Sequence, residues 1–149
     1  MKLAVAVASL LLSVSATAAV QLGDIASAIS CNSEMSRTWW QREFKAAYGK
    51  PRLEQGALWF DGKGELYGKK ILEVFVSADP WYRFVGVVLD SKPEEVIPAI
   101  RVSRVYPTNV FESGAQGWVG ADGRNIMWHK GQHTKIFCMG ARQAKFSEI

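Results

Sequence analysis

The chain predicts a single small α+β domain: an antiparallel sheet with one main helix and one short helix, clamped by one disulfide. Three observations carry this. Segments with apolar residues at helical spacing are each followed by short β-rich runs, which turn signals such as Asp61-Gly62, Gly68-Lys69 and Asp79-Pro80 separate. The 149 residues, 48% of them hydrophobic, are enough for one domain with a real core and too few for two ordinary ones. Only two cysteines occur, Cys31 and Cys138, and they stand near opposite ends of the predicted domain, residues 20–140.

Residues 1–19 read as a signal peptide. Lys2 precedes an apolar run from Leu3 to Val14, and Ser15-Ala16-Thr17-Ala18-Ala19 offers small-residue cleavage after Ala18 or Ala19. The run is well short of the roughly 20 residues that span a bilayer as a helix. No later segment is long and uncharged enough to span, so the expectation is a periplasmic or extracellular protein with no integral membrane segment after cleavage. Thiols oxidise in those compartments, which predicts a Cys31–Cys138 bridge. A lipoprotein box at Ala28-Ile29-Ser30-Cys31 is the weaker reading, because Gln21, Gly23 and Asp24 separate it from the apolar run and Cys138 would be left odd.

Leu22 to Ser30 predicts a short helical piece, with Asp24 as its N-cap and Ile25 and Ile29 one turn apart. The main helix is expected from Ser33, capped by that residue, with Glu34 in its first turn. Trp40, Phe44, Ala47 and Tyr48 make one stripe opposite Arg37, Gln41, Arg42 and Lys45, and Gly49 and Pro51 end the helix. Strands follow at 57–60, 65–67, 71–77 and 81–89, read as an antiparallel meander. If the turn between the last two is Ala78 to Pro80, then Leu72, Val74 and Val76 share a face with Tyr82, Phe84, Gly86 and Val88. Glu73, Phe75, Trp81, Arg83, Val85, Val87 and Leu89 take the other face, which is too apolar to stand wholly in water.

Ser91-Lys92-Pro93-Glu94-Glu95 predicts a second, short helix capped by Ser91, with Val96, Ala99 and Ile100 as its apolar stripe and Pro98 limiting its length. Strand character returns at 102–106, 110–112, 117–119, 125–129 and 133–139, and residues 141–149 read as a mobile polar tail. Gly56-Ala57, Trp59 and Asp61-Gly62-Lys63 echo Gly114-Ala115, Trp118 and Asp122-Gly123-Arg124, compatible with a duplicated helix-then-strands unit or with chance. Tyr48-Gly49-Lys50-Pro51 followed by strands resembles the helix, Gly-x-Pro, three-strand arrangement of small exported modules such as the β-lactamase inhibitory proteins. That resemblance spans about 40 residues of motif any helix C-cap can use, and it bears on fold alone.

Lysine and arginine outnumber acids 18 to 14, a net +4 that loses one charge with Lys2. The basic residues are scattered, which sets nucleic acid aside as a partner. His129 and His133 are the only histidines; a three-residue turn would set them face to face and a two-residue turn on opposite faces. With no third ligand in the neighbourhood, a solvated hairpin tip is the expectation and no metal is predicted. No serine stands in a nucleophile motif, and Asp61, Asp122, Glu94 and Glu95 have turn or helix-start roles, so neither catalytic residues nor cofactors are predicted. Trp81, Tyr82 and Arg83 follow a turn and belong to the types that dominate protein-binding hot spots, which makes them the candidate binding residues. The sequence therefore predicts an exported, non-enzymatic binding protein, in the form of an inhibitor or immunity protein against a secreted or cell-wall-directed enzyme. The alternative is a small periplasmic enzyme or a cell-wall-glycan-binding protein.

Overall fold

The computed structural model describes residues 20–100, 104–112 and 115–140; the predicted signal peptide and C-terminal tail lie outside them. Helix α1 (Leu22–Ile29) buries Ile25, Ala28 and Ile29. Asp24, expected as its N-cap, is instead its third residue, where Asp24 Oδ2 accepts from the N–H of the actual N-cap, Gln21, at 3.1 Å. Helix α2 (Arg37–Tyr48) starts later than expected, at Ser36, whose Oγ accepts from the Trp39 N–H at 3.1 Å. Ser33 does not cap it, because Ser33 Oγ takes the Met35 N–H, and Arg83 holds the Ser33 and Met35 carbonyls outside the helix. Gly49, at φ 89°, closes α2 as the sequence implies.

The strands are β1 (Arg52–Glu54), β2 (Ala57–Asp61), β3 (Glu65–Leu66), β4 (Lys69–Ser77), β5 (Arg83–Leu89), β6 (Val105–Glu112), β7 (Ala115–Gly120), β8 (Arg124–His129) and β9 (His133–Gly140). Between β5 and β6 come α3 (Pro93–Val96) and a 3-10 turn (Ile97–Ala99); Lys92 rather than Ser91 precedes α3, and the Ser91 hydroxyl binds Glu95 instead. All strands join one antiparallel sheet in the order β1-β2-β4-β5-β9-β8-β7-β6, with β3 beside β4. The first half runs out to β5, and the chain then returns so that its last described strand, β9, pairs with β5. Within the first half the antiparallel run is β2-β4-β5, with β3 beside β4 and not between β2 and β4, and the two halves join through β5 and β9.

Two tight turns account for elements the sequence left unclear. Gln55-Gly56 and Tyr67-Gly68 all have positive φ, as a type I′ hairpin needs, and they fold β1 onto β2 and β3 onto β4. The β4–β5 register departs from expectation. The connection is five residues, 78–82, and Val76 pairs with Val85, so Val85, Val87 and Leu89 share the face of Val74 and Val76. Phe84, Gly86 and Val88 join Glu73 and Phe75 on the other, because an odd shift of register exchanges the faces. An irregularity at Leu72 lets Ile71 and Val74 both point to the first face.

Helices α1 and α2 cover that first face, α1 over β5 and β9, α2 over β2 and β4. Ile25, Ile29, Trp40, Phe44, Phe60, Val74, Val87, Ile126 and Ile136 form the core between the layers. Cys31, just after α1, is bonded to Cys138 on β9 with Cα atoms 5.2 Å apart. No described helix is long and apolar enough to cross a membrane.

Candidate binding surface

The second face of the sheet carries its own aromatic cluster, to which no described helix contributes a residue. Gly86 creates its floor. Without a side chain there, Phe75 lies across β5, and Trp59 stacks on Phe75 with centroids 4.4 Å apart and planes 30° from parallel. Phe84 and Phe137 tilt against Phe75 at 6.1 and 6.3 Å. Trp59 Nε1 donates to the Glu54 carbonyl at 3.1 Å, and the Arg52 guanidinium sits 6.0 Å from the indole while pairing with Glu73.

This face is concave. Trp59 on β2 and His129 on β8 are four places apart in the strand order, which in a flat sheet is about 19 Å. Their ring centroids are 5.8 Å apart, so the sheet curls over the cluster. Glu73 on β4 likewise reaches His129, with Oε2 3.7 Å from Nε2. The curl buries Trp59, Phe75 and Val88 with no covering layer among the described residues. At the end nearest the β4–β5 connection it opens into a groove of about 200 Å³ between Trp59, Phe84, Phe137, Met139, Gln55 and Lys135. Among the described residues that line it, Lys135 is the one that carries charge; it is 8% exposed, with Nζ 5.7 Å from the Phe137 ring.

The two histidines sit at the opposite end. Lys130 and Gly131 have positive φ, the turn spans Lys130 to Gln132, and His129 pairs with His133, so the open question of register resolves to face to face. Neither is a solvated tip residue, contrary to expectation: His129 lies against Trp59 inside the curl, and His133 Nδ1 is 3.4 Å from Asp90 Oδ1. Among the described residues no three His, Cys, Asp or Glu side chains converge as metal ligands.

Trp81 and Tyr82 stand in the 78–82 connection, about half exposed at 50% and 53%. Asp79 shapes it, its Oδ1 accepting from the Trp81 N–H at 2.7 Å and its carbonyl from the Tyr82 N–H at 3.3 Å. Arg83 is turned to the α1–α2 link, donating to the Ser33 and Met35 carbonyls at 3.1 and 2.6 Å. The structure thus places Trp81 and Tyr82 at the same end as the groove, next to Phe84 and its strand partner Met139. Sequence reasoning missed Trp59, Phe84, Phe137 and Met139 as surface formers. The surplus of aromatics in both β segments was the available signal, but the face they share depended on the register.

Fold and surface together define a two-layer α+β domain whose second sheet face, uncovered by the described helices, is curled, aromatic and open at one end. Comparison with protein-family models, with curated proteins and with solved structures found no match.

Proposed function

We propose that this is an exported, non-enzymatic binding protein that seats an apolar side chain of another protein in the groove at the open end of its curled sheet. An inhibitor or immunity protein for a secreted or cell-wall-directed enzyme is the form this takes. The observation that carries the reading is the groove itself: aromatic walls from Trp59, Phe84 and Phe137, with Trp81, Tyr82 and Met139 all half exposed at the same end. Binding energy concentrates where an anchor enters a desolvated pocket ringed by aromatic contacts. Export is supported by the apolar N-terminal run with its small-residue cleavage site, and the disulfide fits an oxidising compartment.

A second reading, binding of a cell-wall glycan, is favoured by Trp81 and Tyr82, whose exposed rings could stack on a sugar. One experiment separates the two. The immobilised protein is exposed to extracellular and periplasmic extract and to cell-wall glycan, beside Trp81→Ala and Met139→Glu, and retained material is identified by mass spectrometry. A single protein retained by the wild type and lost from both variants, which keep the wild-type unfolding midpoint, supports the proposal. Retention of glycan alone selects the second reading. Equal retention of the protein by both variants removes the groove from the binding surface.

A further inference from the structure

Met139 stands where the groove meets solvent. It follows Lys135 and Phe137 along β9 at intervals of two, so the three share the concave face, and its strand partner is Phe84 on β5. It lines the groove and is nonetheless 56% exposed. The other described methionines differ from it. Met127 on β8 is 3% exposed, and Met35, 47% exposed, lies before α2 and is not among the residues that line the groove. We propose that Met139 is an oxidation site, at which a peroxide converts the thioether to the sulfoxide and weakens the hold of the groove on an apolar side chain. This rests on the reading of the groove as a binding site and adds its regulation.

The step needs only an accessible sulfur and a peroxide. A sulfur lone pair attacks one peroxide oxygen and forms the S=O bond as the O–O bond breaks. The proton on the transferred oxygen moves to the departing one, which leaves as water, or as an alcohol when the oxidant is an organic hydroperoxide. Sulfur gives up two electrons and the peroxide takes them. Met139 meets the oxidant in the native state, whereas Met127 meets it only when the sheet opens. Pairing of β9 with β5 fixes the backbone of Met139, so the oxidised sulfur stays at the groove. Its new oxygen is a hydrogen-bond acceptor that water satisfies while the groove is empty. An apolar anchor displaces that water and offers no donor in its place, so the added polarity opposes the bound state and leaves the fold unaffected.

The test is limited oxidation of the purified protein with hydrogen peroxide, mapped by peptide mass spectrometry, followed by titration with toluene, which presents a phenylalanine ring without its backbone. Heteronuclear NMR reads toluene at the indole N–H of Trp59, a groove residue. Wild type, Met35→Leu and Met139→Leu are compared. Met139 should be oxidised faster than Met127 by about tenfold or more. Toluene should then bind about tenfold weaker to wild type and to Met35→Leu. In Met139→Leu the same treatment should leave the affinity where it started, whatever its initial value. Oxidation of Met139 no faster than that of Met127, or unchanged toluene affinity once Met139 is fully converted, overturns the oxidation site and leaves the groove standing. An equal loss of affinity in Met139→Leu does the same. Toluene bound by neither the reduced nor the oxidised protein removes the groove reading, and this inference with it. Treated and untreated Met35→Leu decide the matter even if Met139→Leu does not fold.

Discussion

Gly86→Ala strikes the aromatic floor at its base. In an ordinary strand the substitution helps, since glycine loses more backbone freedom on folding than alanine, a difference of about 0.5 to 1 kcal/mol. Here a methyl group at residue 86 would stand 2.2 Å from Phe75 Cζ, 2.6 Å from the Ile136 carbonyl oxygen and 2.7 Å from Phe137 Cβ. The Phe75 ring can swing aside. The other two atoms belong to the backbone region of β9, which pairs with β5 and β8 and cannot retreat without loosening both ladders. Overpacking of this kind costs about 1 to 3 kcal/mol. Displacing Phe75 from its stack on Trp59 adds about 0.5 to 1.5 kcal/mol. Set against the entropy gain, the net loss is about 2 kcal/mol. With a guanidinium slope of about 3 kcal/mol per molar, the unfolding midpoint should fall by about 0.7 M. Near-ultraviolet dichroism should change with it as the Trp59–Phe75 pair parts. Gly23→Ala in α1 is the control, because nothing lies within 4 Å of its added methyl; it should leave stability unchanged or raise it by about 0.5 kcal/mol. A Gly86→Ala midpoint at or above that of the wild type would refute the account of Phe75 lying across β5.

Other outcomes follow from the same physics. Replacing Cys31 and Cys138 by serine opens a link between residues 107 apart, worth about 5 kcal/mol of chain entropy in the unfolded state; the midpoint should drop by more than about 1 M while circular dichroism still reports a folded protein. An unchanged midpoint would show that the clamp contributes nothing. Trp40→Ala, in the core beneath α2, should cost about 3 to 5 kcal/mol, whereas Trp81→Ala, half exposed, should cost less than about 1 kcal/mol; comparable losses would place Trp81 in the core. Burial raises the Asp122 carboxyl, but hydrogen bonds from the Arg124 side chain and amide, and its charge, outweigh that and hold it below the ordinary aspartate value. A depressed folded value means this stabilisation is complete above the unfolded value of about 3.9 and is lost as pH falls through the folded one. Asp122→Asn, which leaves the buried Arg124 without its anion, should therefore be roughly 2 kcal/mol less stable at neutral pH, and the gap to wild type should narrow below about pH 4. Unfolding midpoints measured from pH 2 to 7 check this, and a gap that is constant across that range would contradict it.

Much of the architecture was written locally in the chain. The Trp40, Phe44 and Tyr48 stripe, closed by Gly49 and Pro51, announced α2, and the same three rings pack in a row in the structure, with Phe60 against Phe44. The cysteine pair announced the bridge. Strands β1 and β3 were obscure or ill-bounded because two or three residues are too few for alternation to register, and their type I′ turns use Gln-Gly and Tyr-Gly in place of the stronger Asn-Gly signal.

What the sequence by itself determined was the class of fold, the order of most elements, the covalent clamp, and a surplus of aromatic residues too large for one core face. The tertiary structure alone decided where that surplus went. Val76 pairs with Val85 where a three-residue turn would have set it opposite Tyr82, and this odd shift of three exchanged the faces of β5, moving Phe84 and Val88 to the concave side and Val85 and Val87 to the core. Ser33 lost the cap of α2 because Arg83, 50 residues away, holds its carbonyl. The pairing of β5 with β9 brought Phe137 and Met139 beside Phe84. Side-chain alternation has a period of two, so a single odd shift reverses a whole strand, and that shift is set by contacts between distant segments that no local window of sequence contains.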